Sequence, residues 1–215
     1  MIDTRRYAVA LVGLIAVSVV LAGCSSKPNS SRVFVVQGSN MERTLHGCEG
    51  CTDDKVLVDT SPSVISAIGP GDILVFKPPP GWLDGGSVSG FLSRVIAVGG
   101  QTVRGVSSDG GATARVEVSD NGAAGPWRTL NEPYVYLDGP DANANFGPVT
   151  IPKGRLWVMG DHRNDSADSR FHCGSDASLH TNLDNCDATS STVPVNEVIG
   201  KVAKIVFPNQ RVRTF

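Results

Sequence analysis

Apolar and polar positions alternate in short runs along most of this chain after residue 32. The runs are rich in β-branched residues and are bounded by glycine, proline and aspartate, a pattern that is typical of strands rather than helices. The abundance of turn-forming residues, 24 glycines and 13 prolines, also favours short strands joined by turns, so the chain should be mainly β. The predicted strands are Val33 to Val36, Lys55 to Asp59, Asp72 to Phe76, Phe91 to Val98, Leu156 to Met159 and Val198 to Phe207.

Predicted loops and an inserted segment separate these strands. Breaks in the pattern predict loops at 78–81, 84–90 and 107–114. Between residues 101 and 154 the composition is looser and includes Asn121-Gly122, a dipeptide that is typical of hairpins. We therefore expect a smaller β insertion at about 101–154, inside a β domain that spans residues 33–207 and precedes a tail at 208–215.

The first residues have the composition of a targeting signal. Two arginines precede the apolar run Tyr7 to Leu21, and Leu21-Ala22-Gly23-Cys24 follows, a tetrapeptide that resembles a bacterial lipobox. The run has about 15 residues, which is fewer than the roughly 20 that a helix needs to span a bilayer. We predict a lipoprotein signal peptide at 1–23, lipid on Cys24 and a flexible tether at 24–32. The protein should then be lipid-anchored at the extracytoplasmic face of the cell membrane.

Composition and charge limit the size of the core and the kind of partner. A hydrophobic content of 40% in 215 residues supports one substantial core, so we expect one main domain. The net charge is −2, and the 19 basic and 21 acidic side chains are scattered, so no basic stripe is available to follow a phosphate backbone. We therefore predict no nucleic-acid partner, and we expect no cofactor and no resident metal.

Four cysteines remain once Cys24 is assigned to lipid. In an oxidising compartment they predict two disulfides. Local pairing, Cys48 with Cys51 and Cys173 with Cys186, is the simplest of the three possible connectivities.

Two other interpretations of these cysteines stay open. Cys48 and Cys51 could form a redox pair, although the neighbouring glycines indicate a turn rather than the helix start on which that chemistry depends. The other interpretation is a zinc site. Its ligands would be His46, Cys48 and Cys51 with either His172 or Cys173.

Three ordered segments resemble the signature motifs of the type I signal peptidases. Residues 36–45, VQGSNMERTL, are similar to V-x-G-x-S-M-x-P-T-L, and residues 91–100, FLSRVIAVGG, are similar to a block that contains K-R-V-I. Residues 160–170, GDHRNDSADSR, are similar to G-D-N-R-x-x-S-x-D-S-R. The resemblance implies an antiparallel β-sheet core of signal-peptidase type with a smaller β insertion, docked on the outer face of the membrane.

The same resemblance implies a catalytic dyad, in which a serine attacks the peptide carbonyl and a lysine of lowered pKa removes its proton. Ungapped alignment places Asn40 at the nucleophile position and Ser93 at the lysine position. Ser166 matches a serine that hydrogen-bonds the lysine, and Asp168 and Arg170 match an ion pair that braces the site. The pair can equally be a structural ion pair that is retained with the fold.

Three functions follow as hypotheses. The first is a catalytically inactive signal-peptidase homologue that binds extended peptides or partner proteins by strand addition. The second is an active serine endopeptidase that processes signal peptides with Ser39 as a shifted nucleophile. Its candidate bases are Lys77, His46, His162 and His172. The third is a redox or metal protein that uses Cys48 and Cys51.

Overall fold

The strands of this protein form two antiparallel sheets. The structure, a computed structural model, describes residues 30–83, 90–109, 114–173 and 186–215. A short helix, α1 (Pro62–Ser66), follows the second strand, and two 3₁₀ turns, Val195–Glu197 and Asn209–Arg211, flank the eleventh. The strands are β1 (Ser31–Val35), β2 (Lys55–Asp59), β3 (Ile73–Phe76), β4 (Phe91–Val98), β5 (Thr102–Val106), β6 (Arg115–Ser119), β7 (Arg128–Thr129), β8 (Phe146–Thr150), β9 (Arg155–Met159), β10 (Val193–Pro194), β11 (Val198–Phe207) and β12 (Arg213–Thr214).

The larger sheet has the order β1-β2-β11-β3-β4-β9-β10, and β12 also pairs with β11. The smaller sheet has the order β7-β6-β5-β8 and is built from residues between Thr102 and Thr150. Neighbouring strands in both sheets run antiparallel. The predicted fold class, a mainly antiparallel β core with a smaller β element, is confirmed.

The predicted strands agree closely with the structure, whereas the turns agree less well. Each of the six predicted runs forms a strand whose bounds differ from the prediction by at most two residues. Gly122 has a φ of +75°, as its turn signal requires, but it lies in the longer connection 120–127 between β6 and β7. The segment 208–215, predicted as a tail, contains β12.

One cluster of buried side chains joins the two sheets. It combines Ile96 and Trp157 from the larger sheet with Val103, Val118 and Phe146 from the smaller one. The rings of Phe146 and Trp157 stack at a centroid distance of 5.2 Å. Ile96 belongs to β4 and Trp157 to β9. The cluster therefore packs these two strands against the smaller sheet.

Candidate functional site

The first half of β4 forms one wall of a groove. In the described part of the chain, β4 pairs with β9 from Arg94 onward, so residues 91–93 have an edge that β9 does not cover. The segment that follows β1 approaches this edge and leaves a cavity of about 350 Å³. The cavity is lined by Phe34, Val35, Gln37, Asn40, Val75, Gly90, Phe91, Leu92, Ser93 and Ala167.

Asn40 and Ser93 meet at one main-chain carbonyl in this groove. Asn40 Nδ2 donates to Leu92 O at 2.7 Å, and Ser93 Oγ donates to the same oxygen at 2.7 Å. A carboxamide is not a useful nucleophile, and a serine hydroxyl is not a base near neutral pH. The structure thus brings together the two positions that the motifs assign to nucleophile and base, and both side chains hydrogen-bond the backbone.

Ser39, the alternative nucleophile, has a carboxylate for its partner. Its hydroxyl donates to Asp165, and its carbonyl oxygen lies 3.2 Å from His162 Nδ1. His162 Nε2 is in turn 3.2 Å from Asp138 Oδ1. Within the described ranges, Ser39 Oγ makes no hydrogen bond to a lysine or histidine side chain. None of the candidate bases, Lys77, His46, His162 and His172, is therefore hydrogen-bonded to this hydroxyl.

Ser166 and the main-chain carbonyl of Asn40 both pack closely against Gly160. A Cβ atom at Gly160 would collide with both Asn40 O and Ser166 Oγ, so only glycine at this position lets the segments approach so closely. Ser166 Oγ is buried and makes no hydrogen bond of normal geometry to any residue that the structure describes. A buried hydroxyl without a good partner is unusual, and it marks a place where a donor or acceptor fits.

Asp168 and Arg170 form a fully buried ion pair beneath the groove. Arg170 Nε donates to Asp168 Oδ1 at 2.9 Å, Arg170 Nη2 donates to Asp168 Oδ2 at 2.7 Å, and Arg170 Nη1 donates to Asp141. Burial alone would raise the pKa of Asp168, but Arg170, with the Gly160 N–H and the nearby Ser166 hydroxyl, holds it below its usual value. Burial would likewise lower the pKa of Arg170, and the two carboxylates raise it instead.

Two more arginine–carboxylate pairs fix the segment 160–170. Arg94 donates to Asp161 through Nε at 2.8 Å and through Nη2 at 2.6 Å, and its guanidinium stacks on Tyr134. Arg163 Nη2 donates to Glu132 at 2.6 Å. Glu132 and Asp141 could not be identified from the sequence, because both lie far from their arginine partners along the chain.

Comparison with known proteins assigns the chain to a family. The sequence profile described as "Signal peptidase, peptidase S26" matches residues 4–207, which is most of the chain. The chain belongs to the signal peptidase S26 family.

Relatives in this family are similar over most of the chain. "Probable signal peptidase I" of Mycobacterium leprae (strain TN) is 39% identical over 214 residues, which cover 84% of this chain and 70% of that protein. "Signal peptidase I" of Mycobacterium tuberculosis (strain ATCC 25618 / H37Rv) is 37% identical over 206 residues, with coverage of 84% and 66%. "Signal peptidase I S" of Bacillus subtilis (strain 168) is 31% identical over 142 residues, with coverage of 66% and 67%. The chain thus spans about two thirds of the length of these signal peptidases.

The cysteines of this signal peptidase homologue form two local disulfides, Cys48–Cys51 and Cys173–Cys186. With both disulfides closed, Cys48, Cys51 and Cys173 are not available as thiolate ligands for the zinc site considered from the sequence, and the ring of His172 stacks on Trp82 at 4.2 Å. The predicted lipid-bearing residue, Cys24, and its leader lie outside the described residues. Among the residues that the structure covers, no helix has both the length and the apolar character needed to cross a membrane.

Proposed function

We propose that this protein is a catalytically inactive signal-peptidase homologue that holds an extended segment of another polypeptide in the groove beside β4. The single observation that carries the proposal is the convergence of Asn40 and Ser93 on Leu92 O. These are the positions of the family's nucleophile and base, and neither side chain supplies the chemistry. Losing either member of such a dyad removes almost all of the rate that both provide together.

Two features of the groove support peptide binding. The β4 edge at residues 91–93 extends past β9, and an exposed strand edge can pair with the main chain of an extended peptide. The lining includes four apolar side chains, Phe34, Val35, Val75 and Phe91, against which apolar side chains of the peptide would be removed from water.

The active alternative with Ser39 as the nucleophile has weaker support. Its hydroxyl donates to the carboxylate of Asp165, and among the described residues it makes no hydrogen bond to a lysine or histidine side chain that could take its proton. We infer that Ser39 helps to fix the segment 39–45 rather than to attack a substrate.

We further propose that the domain is tethered to the extracytoplasmic face of the membrane through lipid on Cys24. The support is the Leu21-Ala22-Gly23-Cys24 sequence behind a short apolar run. An anchor of this kind would present the groove to polypeptides that emerge at the membrane surface.

The first experiment measures cleavage and binding with the purified full chain. We expect no cleavage of a signal-peptide substrate, and we expect a fluorescently labelled extended peptide with an apolar core to bind. Ala167 is exposed and lines the groove, so Ala167→Trp should fill the cavity and weaken binding about tenfold or more.

Ala123→Trp is the matched control, because Ala123 is also exposed but lies in the connection between β6 and β7 and does not line the groove. It should bind peptide like the unmodified protein. Cleavage by the unmodified domain that is abolished by Ser39→Ala would reject inactivity, and equal binding by the two tryptophan variants would reject the groove.

A further inference from the structure

A surface turn next to the groove carries a cluster of metal-binding residue types. Ligand atoms of Glu42, His46 and Cys51 all lie within 4.8 Å of one another. Cys48 is joined to Cys51, and their Cα atoms are 5.3 Å apart. Three side chains of the kind that bind zinc are therefore clustered, and the disulfide joins a fourth, Cys48, to one of them.

The two ligands that are not sulfur already have a suitable separation. His46 Nε2 lies 3.4 Å from Glu42 Oε2. Two ligands at about 2.0 Å from a tetrahedral zinc ion are separated by about 3.3 Å. Glu42 Oε1 accepts a hydrogen bond from Gly47 N at 3.1 Å, which orients the carboxylate toward the turn.

The turn is anchored independently of its disulfide. His46 N donates to Asp54 Oδ2 at 2.9 Å, and Asp54 N donates to His46 O at 2.8 Å. Arg211 also holds the Asp54 carboxylate, through Nε at 2.8 Å and Nη2 at 2.9 Å. Breaking the sulfur–sulfur bond would therefore leave both ends of the segment 46–54 in place.

We propose that reduction of the Cys48–Cys51 disulfide opens a zinc site formed by Cys48, Cys51, His46 and Glu42. Both cysteines are partly exposed, so an external dithiol can reach them. One thiolate of the dithiol attacks a sulfur of the disulfide and releases the other cysteine as a thiolate. The second thiol of the reductant then displaces the remaining cysteine, so the reductant leaves as a disulfide and two electrons have been transferred.

Zinc then binds two thiolates, the neutral imidazole and the carboxylate, and the two cysteine protons pass to solvent. While the disulfide is closed, only His46 and Glu42 remain as ligands, and affinity for zinc should be weak. The turn thus binds metal only in its reduced state. This inference is independent of the proposed peptide binding, because it rests on ligands outside the groove lining.

The test titrates Zn²⁺ into the full chain against a chromophoric chelator, before and after treatment with a phosphine reductant. The reduced protein should bind one Zn²⁺ about 100-fold or more tightly than the oxidised protein. Co²⁺ added in place of Zn²⁺ should give the visible bands of a tetrahedral site with thiolate ligands, a signature that a nonspecific surface ion does not produce.

Variants locate the ion. Cys48→Ser and His46→Ala should each weaken binding by about 10-fold or more. The double variant Cys173→Ser with Cys186→Ser is the control, because the phosphine also reduces that disulfide, and it should bind like the unmodified chain. Equal affinity in the oxidised and reduced states, or loss of binding only in the control, would overturn the proposal.

Discussion

At the scale of a single residue, Ser166 is the position on which the proposed inactivity bears most directly. In the family motif this serine hydrogen-bonds the catalytic lysine, and here its buried hydroxyl has no hydrogen bond of normal geometry in the part of the chain that the structure describes. Position 93 carries a serine, whose hydroxyl donates to Leu92 O. On the proposed assignment of Ser93 to the base position, Asp168 and Arg170 lie beside a site that has no basic side chain at that position.

We predict that Asn40→Ser together with Ser93→Lys restores partial signal-peptide cleavage, whereas neither change alone does. Nucleophile and base act as one unit, so in a serine protease the loss of either costs on the order of 10⁶ in kcat, as much as the loss of both. Recovery should stay well below the activity of a natural enzyme, because the new lysine needs a desolvating pocket and has Ser166 as its partner. Product formation is followed by mass spectrometry.

Asn40→Ser with Ser93→Met is the matched control, since methionine has a similar length without the amine. It should remain inactive. Equal activity in the control and in the lysine variant would show that the hydroxyl at position 40 works without this base.

The second prediction concerns the pH dependence of stability at Asp168. Its pKa is lowered in the folded protein, so ionised Asp168 stabilises the fold above the ordinary carboxyl pKa of about 3.9. That stabilisation is lost as the pH falls through the lower, folded-state pKa. Urea unfolding between about pH 6 and pH 3 should therefore show a shallower loss of stability in Asp168→Asn than in the unmodified protein. Identical slopes would contradict the assignment.

Local motifs predicted part of the site, and long-range pairing determined the rest. Asn40, Ser93 and Asp168 were identified because their motifs are short and contiguous. Asp141 and Glu132 were missed, since each meets its arginine only after the chain has passed through the smaller sheet. No spacing along the sequence indicates such a contact.

At the scale of elements, strands with a strong burial pattern were predictable. β3 is buried at all four positions, as an uninterrupted apolar run in the middle of a sheet should be. The two-residue strands β7, β10 and β12 were not predicted, because their pairing partners rather than their own residues define them. For the same reason, Asn121-Gly122 indicated where the smaller sheet lies but not the length of the connection between β6 and β7.

The third prediction compares what the buried ion pairs of Arg170 and a partly exposed surface ion pair contribute to the free energy of unfolding. Arg170→Met should lower the free energy of unfolding by about 3–5 kcal/mol, because it leaves two buried carboxylates without their cation. Arg104→Met is the control, since the Arg104–Glu117 pair is partly exposed and should cost about 1 kcal/mol or less. Chemical denaturation measures both, and equal effects would argue against a special role for the brace.

At the scale of the whole molecule, the core connects the two sheets into a single unit. The cluster around Trp157 takes side chains from β4 and β9 on one side and from β5, β6 and β8 on the other. The groove wall therefore rests on a core to which both sheets contribute. A destabilising substitution in the smaller sheet can therefore affect the groove through these core contacts.

The fourth prediction addresses the anchor. Cys24→Ala should abolish labelling with a radioactive or clickable fatty acid and move the protein out of the membrane fraction, because no acceptor for lipid remains. Ser25→Ala, one residue further on, should keep both label and location. Membrane retention of the Cys24→Ala protein without label would instead indicate an anchor formed by the apolar run itself.

The hydrogen bonds at Leu92 O have a consequence for any ligand of the groove. A carbonyl oxygen has two lone pairs, and Asn40 and Ser93 occupy both. The side-chain amide of Asn40 has the same donor and acceptor as a peptide unit, so it already sits where the first such unit of an incoming strand would pair. A ligand strand that pairs with Leu92 O must therefore displace the side-chain amide of Asn40.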